Sequence, residues 1–349
     1  MKRLISANAS EILRMNAQEL KQSIKASEGR VILSENVAPR ESFIGDITNA
    51  EIARAFGADM ILLNCLDVLN PYIFGLEHDK DNFVDELHRL VGRPIGVNLE
   101  PVDLEAEMLE DRLDIAKGRQ LNLETVKRLD EVGFDFVCLT GNPGTGVTNE
   151  QIEKAISFTK ENFSGLIIAG KMHGAGSDEP VADLEIAKRF VKAGADVILV
   201  PAVGTVPGFD MDDLKAVCKE VHSCGGLVLS AIGTSQEGSD TDTIKDIAIM
   251  NKICGVDIQH IGDAGYGGGL NAYVYCLYYV VTVTGKQIFL LLGYGAGLIF
   301  AVFLGSGFVK SLGMLGAALS CTLSFGVVFI VFLIITSCVV KDRKKKTEV

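Results

Sequence analysis

The sequence predicts an α/β protein built as a (β/α)8 barrel, and three observations support this fold class. Eight short runs rich in β-branched residues alternate with amphipathic helical stretches. The runs are almost continuously apolar, which is typical of strands buried on both faces of a parallel sheet. A Gly-x-Asp step precedes four of the runs, at Gly57, Gly133, Gly194 and Gly255. We expect eight such strands, joined by helical crossovers, to close into a barrel.

The predicted strands are, in chain order, RVILSEN, DMILLNC, PIGVNLEP, DFVCLTGN, LIIAGKMHG, DVILVPAVG, GLVLSAIGT and DIQHIGDAG. Seven helices are predicted between them, over residues 49–56, 82–90, 125–131, 149–161, 184–192, 211–224 and 243–253. The first has an N-cap signal at Asp46 and Thr48. Each glycine of the repeat should cap the helix before it. Residues 8–27 predict a further helix, which we expect to cover the N-terminal end of the barrel.

The barrel domain is predicted to span residues 1–268 and to lack a normal eighth helix. The uncharged segment 270–284 follows, where a charged amphipathic helix is expected. We expect this segment either to pack as a makeshift eighth helix or to be drawn toward a bilayer. Apolar runs at Ile288–Leu304 and Met314–Val340 then reach the length of a membrane span. They predict a transmembrane hairpin in residues 269–349, with helices at about 287–305 and 314–340; a buried soluble hairpin is the alternative.

Charge and cysteine usage narrow the class of protein. The chain has 45 acidic and 33 basic residues, and only two of the acidic residues follow Leu270. An acidic barrel without a basic stripe argues against nucleic acid as a partner. The eight cysteines form no CxxC pair, and the N-terminus lacks the apolar stretch of a signal peptide. The basic cluster at 341–346 predicts a cytoplasmic C-terminus, and so a barrel anchored to the membrane on its cytoplasmic side.

Candidate catalytic residues follow the predicted strands, because barrel active sites lie at the C-terminal ends of the strands. Several polar residues stand there, including Asn64, Asn98, Thr140, Asn142 and Ser230. The proposed catalytic residues among them are Glu35, Asp67, Glu100, Lys171 and His173. Lys171 could form a Schiff base or bind an anion, and His173 is expected to point to the same face. The alternatives are a salt bridge from Lys171 to Glu100 or Asp67 and a capping hydrogen bond from His173.

Two glycine-rich turns, IGTSQEG and IGDAGYGG, follow the last two strands, where barrel enzymes commonly bind phosphate. The predicted phosphate-binding residues are Gly233, Thr234, Ser235, Gly262, Asp263 and Gly265. Alternatively, the glycines only make tight turns.

Four carboxylates at strand ends, Glu35, Asp67, Glu100 and Asp263, form a predicted acidic mouth. They could bind Mg2+ through their oxygen atoms, or one of them could act as a general base. Residues 101–120 are too long for an ordinary βα loop and could form a lid; a solvated helix is the alternative.

The segments SENVAPRESFIGDITNAEIARAFGADMILLN, GKMHGAG, GADVILVPAVGTVPG and HIGDAGYGG resemble a bacterial family labelled phosphoenolpyruvate phosphonomutase-like or, loosely, haloacid dehalogenase-like. The resemblance covers residues 1 to about 268. It implies a barrel enzyme of the lyase or isomerase type, with Mg2+ as cofactor, acting on a small phosphorylated or carboxylated acid. The Lys-Lys-Cys-Gly-His loop and the Asp-x-Asp-x-Gly-Tyr-Gly run of the lyase branch are absent. The family's mechanism therefore does not transfer to this chain residue by residue.

The tail from about Leu270 resembles the last part of a polysaccharide flippase, on TGKQ, YGAG, GMLGAALS and the terminal basic cluster. A two-helix fragment of a transporter is not expected to transport. The function predicted from the sequence is a lyase or isomerase. The alternative is a non-catalytic barrel that binds a phosphorylated metabolite and carries a flippase remnant from a gene fusion. The expected partners are a small phosphorylated substrate, the lipid bilayer and a second copy of the chain in a homo-oligomer.

Overall fold

The computed structural model describes most of the chain up to residue 263 and part of the remainder. The described residues are 2–42, 46–77, 79–109, 111–174, 176, 179–233, 236–263, 290–305, 307–308, 310–311, 320, 323–324 and 326–335. The chain divides into two compact units, Met1–Tyr266 and Gly267–Val349.

The first unit is a closed barrel of eight parallel strands in sequential order, so the predicted fold class is confirmed for this unit. The strands are β1 Val31–Val37, β2 Met60–Asn64, β3 Ile95–Leu99, β4 Phe136–Leu139, β5 Leu166–Gly170, β6 Val197–Pro201, β7 Leu227–Ile232 and β8 Ile258–Ile261. The pairing of Val31 with Ile258 closes the barrel between β1 and β8. Seven of the eight strands lie inside the runs predicted for them, and β1 extends one residue past its run, to Val37.

Seven described helices link consecutive strands, and two short helices precede β1. The helices are α1 Ala9–Ile12, α2 Ala17–Ala26, α3 Asn49–Ala55, α4 Phe83–Val91, α5 Leu123–Val132, α6 Asn149–Asn162, α7 Leu184–Ala193, α8 Met211–Ser223 and α9 Thr241–Cys254. The single helix predicted over residues 8–27 is wrong, because Asn16 and Glu19 form a capping box that starts a second helix at Ala17.

The barrel has an inner and an outer apolar layer, and alternate residues of each strand contribute to them. Leu33, Leu62 and Ile168 belong to the inner cluster, which the N-terminal segment also joins through Leu20 and Ile24 of α2. This packing confirms that the N-terminal segment covers one end of the barrel. The outer cluster lies between strands and helices and contains the residues of opposite parity. The parity of a strand residue therefore shows whether its side chain faces the barrel interior.

The Gly-x-Asp repeat forms four equivalent contacts, which we call the aspartate clasps. In each clasp the aspartate N–H donates to a carbonyl near the start of the preceding strand, and the N–H of that same strand residue donates to the aspartate carboxylate. The aspartate and its strand partner are Asp59 with Ile32, Asp135 with Ile95, Asp196 with Ile167 and Asp257 with Val228. The clasps join β1 to β2, β3 to β4, β5 to β6 and β7 to β8.

The glycines of the repeat fulfil the capping role predicted for them, with one difference. Gly133, Gly194 and Gly255 are left-handed C-caps of α5, α7 and α9. After α3 the cap is Phe56 instead, and Gly57 follows it with a φ of +102°.

In the second unit, the structure describes a helix α10 at Leu290–Phe300, continued by a π-helical turn at Ala301–Gly305. Eleven helical residues, extended by five, are shorter than the roughly 20 that a bilayer span needs. Within the described part of the chain no helix is long and apolar enough to cross a membrane. The transmembrane hairpin at 287–305 and 314–340 is therefore not supported. The segment 270–284 and the basic cluster lie outside the described residues.

Candidate functional site

A pair of buried ionisable side chains lies on the inner face near the C-terminal end of the barrel. Glu35 follows Leu33 on the inner face of β1, and His260 of β8 pairs in register with Leu33. His260 Nε2 lies 2.9 Å from Glu35 Oε2, and both side chains are almost completely buried. The contact is short but poorly aligned for a hydrogen bond, since His260 Nε2 has no well-directed partner. Asn98 Nδ2 donates to the other Glu35 oxygen at 2.5 Å. We call Glu35 and His260 the buried acid–base pair.

Above this pair, a second group of polar side chains connects four strand ends and a loop. Glu100 is the next inward-facing residue after Asn98 on β3, roughly 6.6 Å further along the strand. Its Oε1 accepts from Arg119 Nη2 at 2.7 Å and from Asn142 Nδ2 at 3.0 Å. Its Oε2 accepts from the Asn142 backbone N–H at 2.9 Å. The Glu100 carboxylate is thus held by three donors.

Asn64 extends this group toward β8. Its Nδ2 donates to Asn142 Oδ1 at 3.0 Å and to Asp263 Oδ1 at 2.9 Å. Its Oδ1 accepts from Asn142 Nδ2 at 3.0 Å. Asp263 has a positive φ of +40°, a conformation that non-glycine residues rarely adopt. We call Asn64, Glu100, Arg119, Asn142 and Asp263 the mouth network. It combines two carboxylates, two carboxamides and one guanidinium.

Several buried polar atoms beside these groups have no hydrogen-bond partner in the described structure. They include Asn98 Oδ1, Thr140 Oγ1, His260 Nδ1 and Arg119 Nε. Thr140 continues the inner face of β4 after Cys138. A buried polar atom without a partner costs about 1–3 kcal/mol, so such atoms gathered at one place point to a site that binds something.

The structure separates Lys171 from the mouth network. Lys171 has the parity of Ile167 and Ala169, which belong to the outer apolar layer. Its ammonium group is fully buried, donates to the Val147 carbonyl at 3.1 Å and forms an ion pair with Glu179. Burial lowers the pKa of Lys171, and the Glu179 carboxylate opposes that shift. Lys171 therefore forms a salt bridge, as the alternative interpretation predicted, but its partner is Glu179 and not Glu100 or Asp67.

His173 lies close enough to the mouth for the Glu35 and Glu100 carboxylates to affect its pKa. Burial lowers the pKa of His173 below its ordinary value, while the charges of Glu35 and Glu100 act in the opposite direction. Burial therefore favours the neutral form of the imidazole. The expectation that Lys171 and His173 act together on one face is not supported, because the Lys171 ammonium is engaged elsewhere.

Asp67 has a structural role in this geometry. Its Oδ1 accepts from the backbone N–H groups of Leu69 and Asn70 at 2.9 and 3.0 Å, which closes the turn after β2. Gly118 packs so closely against this carboxylate that an added Cβ would lie 1.6 Å from Oδ1. One oxygen of the Asp67 carboxylate is thus committed to its own turn.

The glycine-rich turns meet each other, but their described groups are already engaged. The Gly262 N–H donates to the Ile232 carbonyl at 2.8 Å, and a Cβ on Gly262 would contact the Gly233 Cα at 3.6 Å. The first N–H groups of α9 donate to Asp240, whose Oδ1 accepts from Asp242 and Thr243. Thr234, Ser235 and Gly265 lie outside the described residues. Phosphate binding at these turns stays a prediction that the described geometry does not favour.

The long loop after β3 packs over the neighbouring loops and delivers Arg119. The Leu109 N–H donates to Gly176 at 2.9 Å, and the Leu113 N–H donates to Gly144 at 2.8 Å. An isolated parallel bridge between Glu100 and Gln120 returns the loop to the end of β3. Within residues 101–120 the structure describes a short 3-10 helix at Lys117–Arg119. The loop therefore lies across the neighbouring C-terminal loops, in the position of a lid.

The structure shows no metal site at the predicted acidic mouth within the residues that it describes. Among the described residues there is no group of three or more His, Cys, Asp or Glu side chains that could hold a metal ion. Glu35 and Glu100 instead use amide, guanidinium and imidazole partners. A surface cleft of about 300 Å3 is lined in part by Gln120, Lys154 and Phe158 and includes no member of the mouth network in its lining.

Sequence reasoning missed Arg119 and His260. Arg119 lies in a loop, 19 residues after its partner Glu100. His260 is inside a strand, and only the residues following each strand were considered. The register of β8 with β1 would have identified it, because Leu33 faces the interior.

Comparisons with solved structures give distant likenesses. The phosphoenolpyruvate phosphomutase from Streptomyces platensis subsp. rosaceus is 15% identical over 78% of this chain and 90% of that chain, with a TM-score of 0.48. A 2,3-dimethylmalate lyase, described as a PEP mutase/isocitrate lyase superfamily member, is 11% identical over 78% and 88%, with a TM-score of 0.47. A phosphonopyruvate hydrolase solved with oxalate and Mg++ is 15% identical over 81% and 98%, with a TM-score of 0.44.

No curated protein matches the chain. None of the likenesses described here supports the flippase resemblance predicted for the tail. A protein-family model, described as "Domain of unknown function (DUF7916)", matches residues 5–288. This match covers the whole barrel and most of the chain, and the protein therefore belongs to the DUF7916 family.

Proposed function

We propose that the barrel is an enzyme that transfers a proton in a lyase or isomerase reaction of a small polar metabolite. The observation that carries the proposal is the buried acid–base pair, in which His260 Nε2 lies 2.9 Å from Glu35 Oε2. The pair faces the barrel interior at the end where barrel enzymes have their active sites.

The chemistry follows from the two imidazole nitrogens. Glu35 Oε2 lies 2.9 Å from His260 Nε2, and Nδ1 has no partner in the described structure, so Nδ1 is available to a reacting group. A histidine held by a carboxylate on one side is a common general acid and base. In an isomerase reaction Nδ1 takes a proton from a hydroxyl-bearing carbon beside a carbonyl group and returns it to the carbonyl carbon, while the hydroxyl proton moves to the former carbonyl oxygen. In a lyase reaction it takes a hydroxyl proton, a C–C bond breaks, and the electron pair left on carbon is protonated.

Other side chains of the site would stabilise negative charge on the reacting oxygen. The hydroxyl of Thr140 is buried, lacks a partner in the described structure, and can donate. Arg119 adds a positive charge near the strand ends, with a buried Nε that is also unpartnered. Donors fixed before the reaction are the usual source of electrostatic stabilisation in enzymes.

The substrate class predicted from the sequence, a small phosphorylated or carboxylated acid, is one of two classes for the first screen. Neutral hydroxylated carbonyl compounds are the other, since the mouth network contains more carboxylates than cations. Mg2+ belongs in the screen as a variable, because the family resemblance implies it.

The experiment measures proton exchange directly. The protein is incubated in D2O with each candidate compound, with and without Mg2+, and the loss of C–H signals is followed by proton NMR. For the substrate we expect exchange that falls about 10²–10⁴-fold in His260→Gln and in Glu35→Gln. Glu150→Gln, at an exposed position on α6, is the matched control and should exchange at the wild-type rate.

The alternative function is a non-catalytic barrel that binds a metabolite. It predicts compounds that raise the melting temperature without any exchange in the wild-type protein. Exchange that survives in His260→Gln would also contradict the assignment of the acid–base pair.

A further inference from the structure

We infer that the metabolite is a neutral polyhydroxylated carbonyl compound, such as an unphosphorylated sugar, rather than a phosphate ester or a dicarboxylic acid. This inference rests on the proposed function, because it names the substrate class of the same site. Three features of the site carry it: its charge, its pattern of donors and acceptors, and the engaged state of the turns that would hold a phosphate.

The charge around the site disfavours an anion. Glu35, Glu100 and Asp263 contribute three carboxylates, and Arg119 contributes one guanidinium, which already lies 2.7 Å from Glu100. An additional phosphate or carboxylate group would enter a region with an excess of negative charge, out of bulk solvent, where like charges repel strongly.

The mouth network alternates donors with acceptors. The carboxamide Nδ2 atoms of Asn64 and Asn142 donate, and the carboxylate oxygens of Glu100 and Asp263 accept. A hydroxyl group both donates and accepts, so neighbouring hydroxyls of a sugar can replace these bonds one for one. An ammonium group only donates, so it could bond to the carboxylate oxygens but would leave the amide and guanidinium donors of the network without acceptors.

Buried side chains below the network provide a second, independent observation. Asn98, Thr140 and His260 are each at least 96% buried, and each has a polar atom without a partner in the described structure. All three lie on the inner face of the barrel. They offer one carbonyl oxygen, one hydroxyl and one ring nitrogen to a ligand, a set that matches hydroxyl and carbonyl groups.

At the usual phosphate position of a barrel, the backbone groups that the structure describes are already bonded to protein groups. The N-terminus of α9, the helix after β7, is capped by the Asp240 carboxylate, which accepts from Asp242 and Thr243. The Gly262 N–H is bonded to the Ile232 carbonyl, and Asp263 follows directly with its own negative charge. A phosphate at the N-terminus of α9 would have to displace the Asp240 carboxylate.

Binding is tested on the full chain by thermal shift and isothermal titration calorimetry. The probes at millimolar concentration are xylitol and D-xylose as neutral polyols, and glycerol 3-phosphate, inorganic phosphate, malonate and putrescine as charged compounds. We expect the polyols to bind and the charged probes not to bind. Glu100→Gln and Asn64→Ala should weaken polyol binding about tenfold or more, since each loses a hydrogen bond to a network that includes charged groups. Glu150→Gln should leave it unchanged.

Binding of any charged probe in preference to the polyols would overturn the inference, as would no binding by any probe. Polyol binding that is unchanged in both network variants, each shown to be folded by circular dichroism, would also overturn it. The deuterium exchange assay separates the two proposals. Polyol binding without exchange would support the substrate class and contradict the proposed reaction. Exchange confined to a phosphorylated compound would support the reaction and contradict the substrate class.

Discussion

Replacing Asp196 by alanine should destabilise the barrel by about 3 kcal/mol. Asp196 is buried and forms one of the four aspartate clasps: its Oδ2 accepts from the Ile167 N–H at 3.2 Å, and its Oδ1 lies 3.1 Å from Lys21 Nζ. Truncation leaves the buried Ile167 N–H without a partner, at a cost of about 1–3 kcal/mol. It also leaves the Lys21 ammonium, whose side chain is 16% exposed, without its counter-ion. Breaking a buried pair costs about 3–5 kcal/mol and an exposed one about 0–1, so a partly exposed pair contributes about 1–2 kcal/mol.

The assay is urea and thermal unfolding of the full chain followed by circular dichroism. For a domain of this size about 3 kcal/mol corresponds to a fall in the melting temperature of about 6–12 °C. Asp196→Asn retains one acceptor and should lose about half as much stability. The matched control is Asp114→Ala in the loop after β3, where the side chain is exposed. If Asp196→Ala and Asp114→Ala agree within about 0.5 kcal/mol, the clasp does not stabilise the barrel as argued.

Two further predictions concern a close backbone approach and a histidine. Gly170→Ala should prevent folding or lower the free energy of unfolding by more than about 3 kcal/mol, because the new Cβ would lie 1.9 Å from the Leu199 carbonyl oxygen and φ is +149°. At Gly208 nothing lies within 4 Å of an added Cβ, so Gly208→Ala should cost only about 1–2 kcal/mol. Urea unfolding measures both. The His222–Asp257 contact raises the pKa of His222 above its ordinary value of about 6.5, so its contribution is complete below about pH 6.5 and is lost as the pH rises through the raised pKa. The stability difference between wild type and His222→Gln, measured against pH, should therefore shrink toward high pH, and a difference that grows would contradict this.

The strands and their order could be predicted because their sequence signal is strong. A strand covered on both faces needs apolar residues at almost every position, and eight such runs separated by helices permit few topologies. The same property hides which residues face inward. In LIIAGKMHG both parities are apolar, so the sequence alone could not show that Lys171 belongs with Ile167 on the outer face.

The candidate site was predictable only where it follows the strand ends directly. Glu35, Glu100 and Asp263 were identified in this way: Glu100 and Asp263 lie in the mouth network, and Glu35 lies in the buried acid–base pair. Arg119 was not, because its contact with Glu100 depends on how a long loop returns to β3. Contacts of that kind are determined by tertiary packing and leave no local pattern in the sequence.

Aspartate clasps on opposite sides of the barrel should contribute independently to its free energy of unfolding. Asp135 and Asp257 precede β4 and β8, which lie opposite each other in the closed barrel, and each carboxylate accepts from a strand N–H and lies 2.7 Å from a histidine. The two clasps share no partner, so the effects of removing them should be independent. Asp135→Ala and Asp257→Ala should each lower the free energy of unfolding by about 2 kcal/mol near pH 6. The loss in the double variant should match the sum of the two within about 0.5 kcal/mol. The contacting pair His88→Gln and Asp135→Ala should not be additive, since either change alone breaks the same contact. A double variant of the opposite clasps that falls well short of the sum, measured by urea unfolding, would mean that the four repeats are not independent units of the barrel.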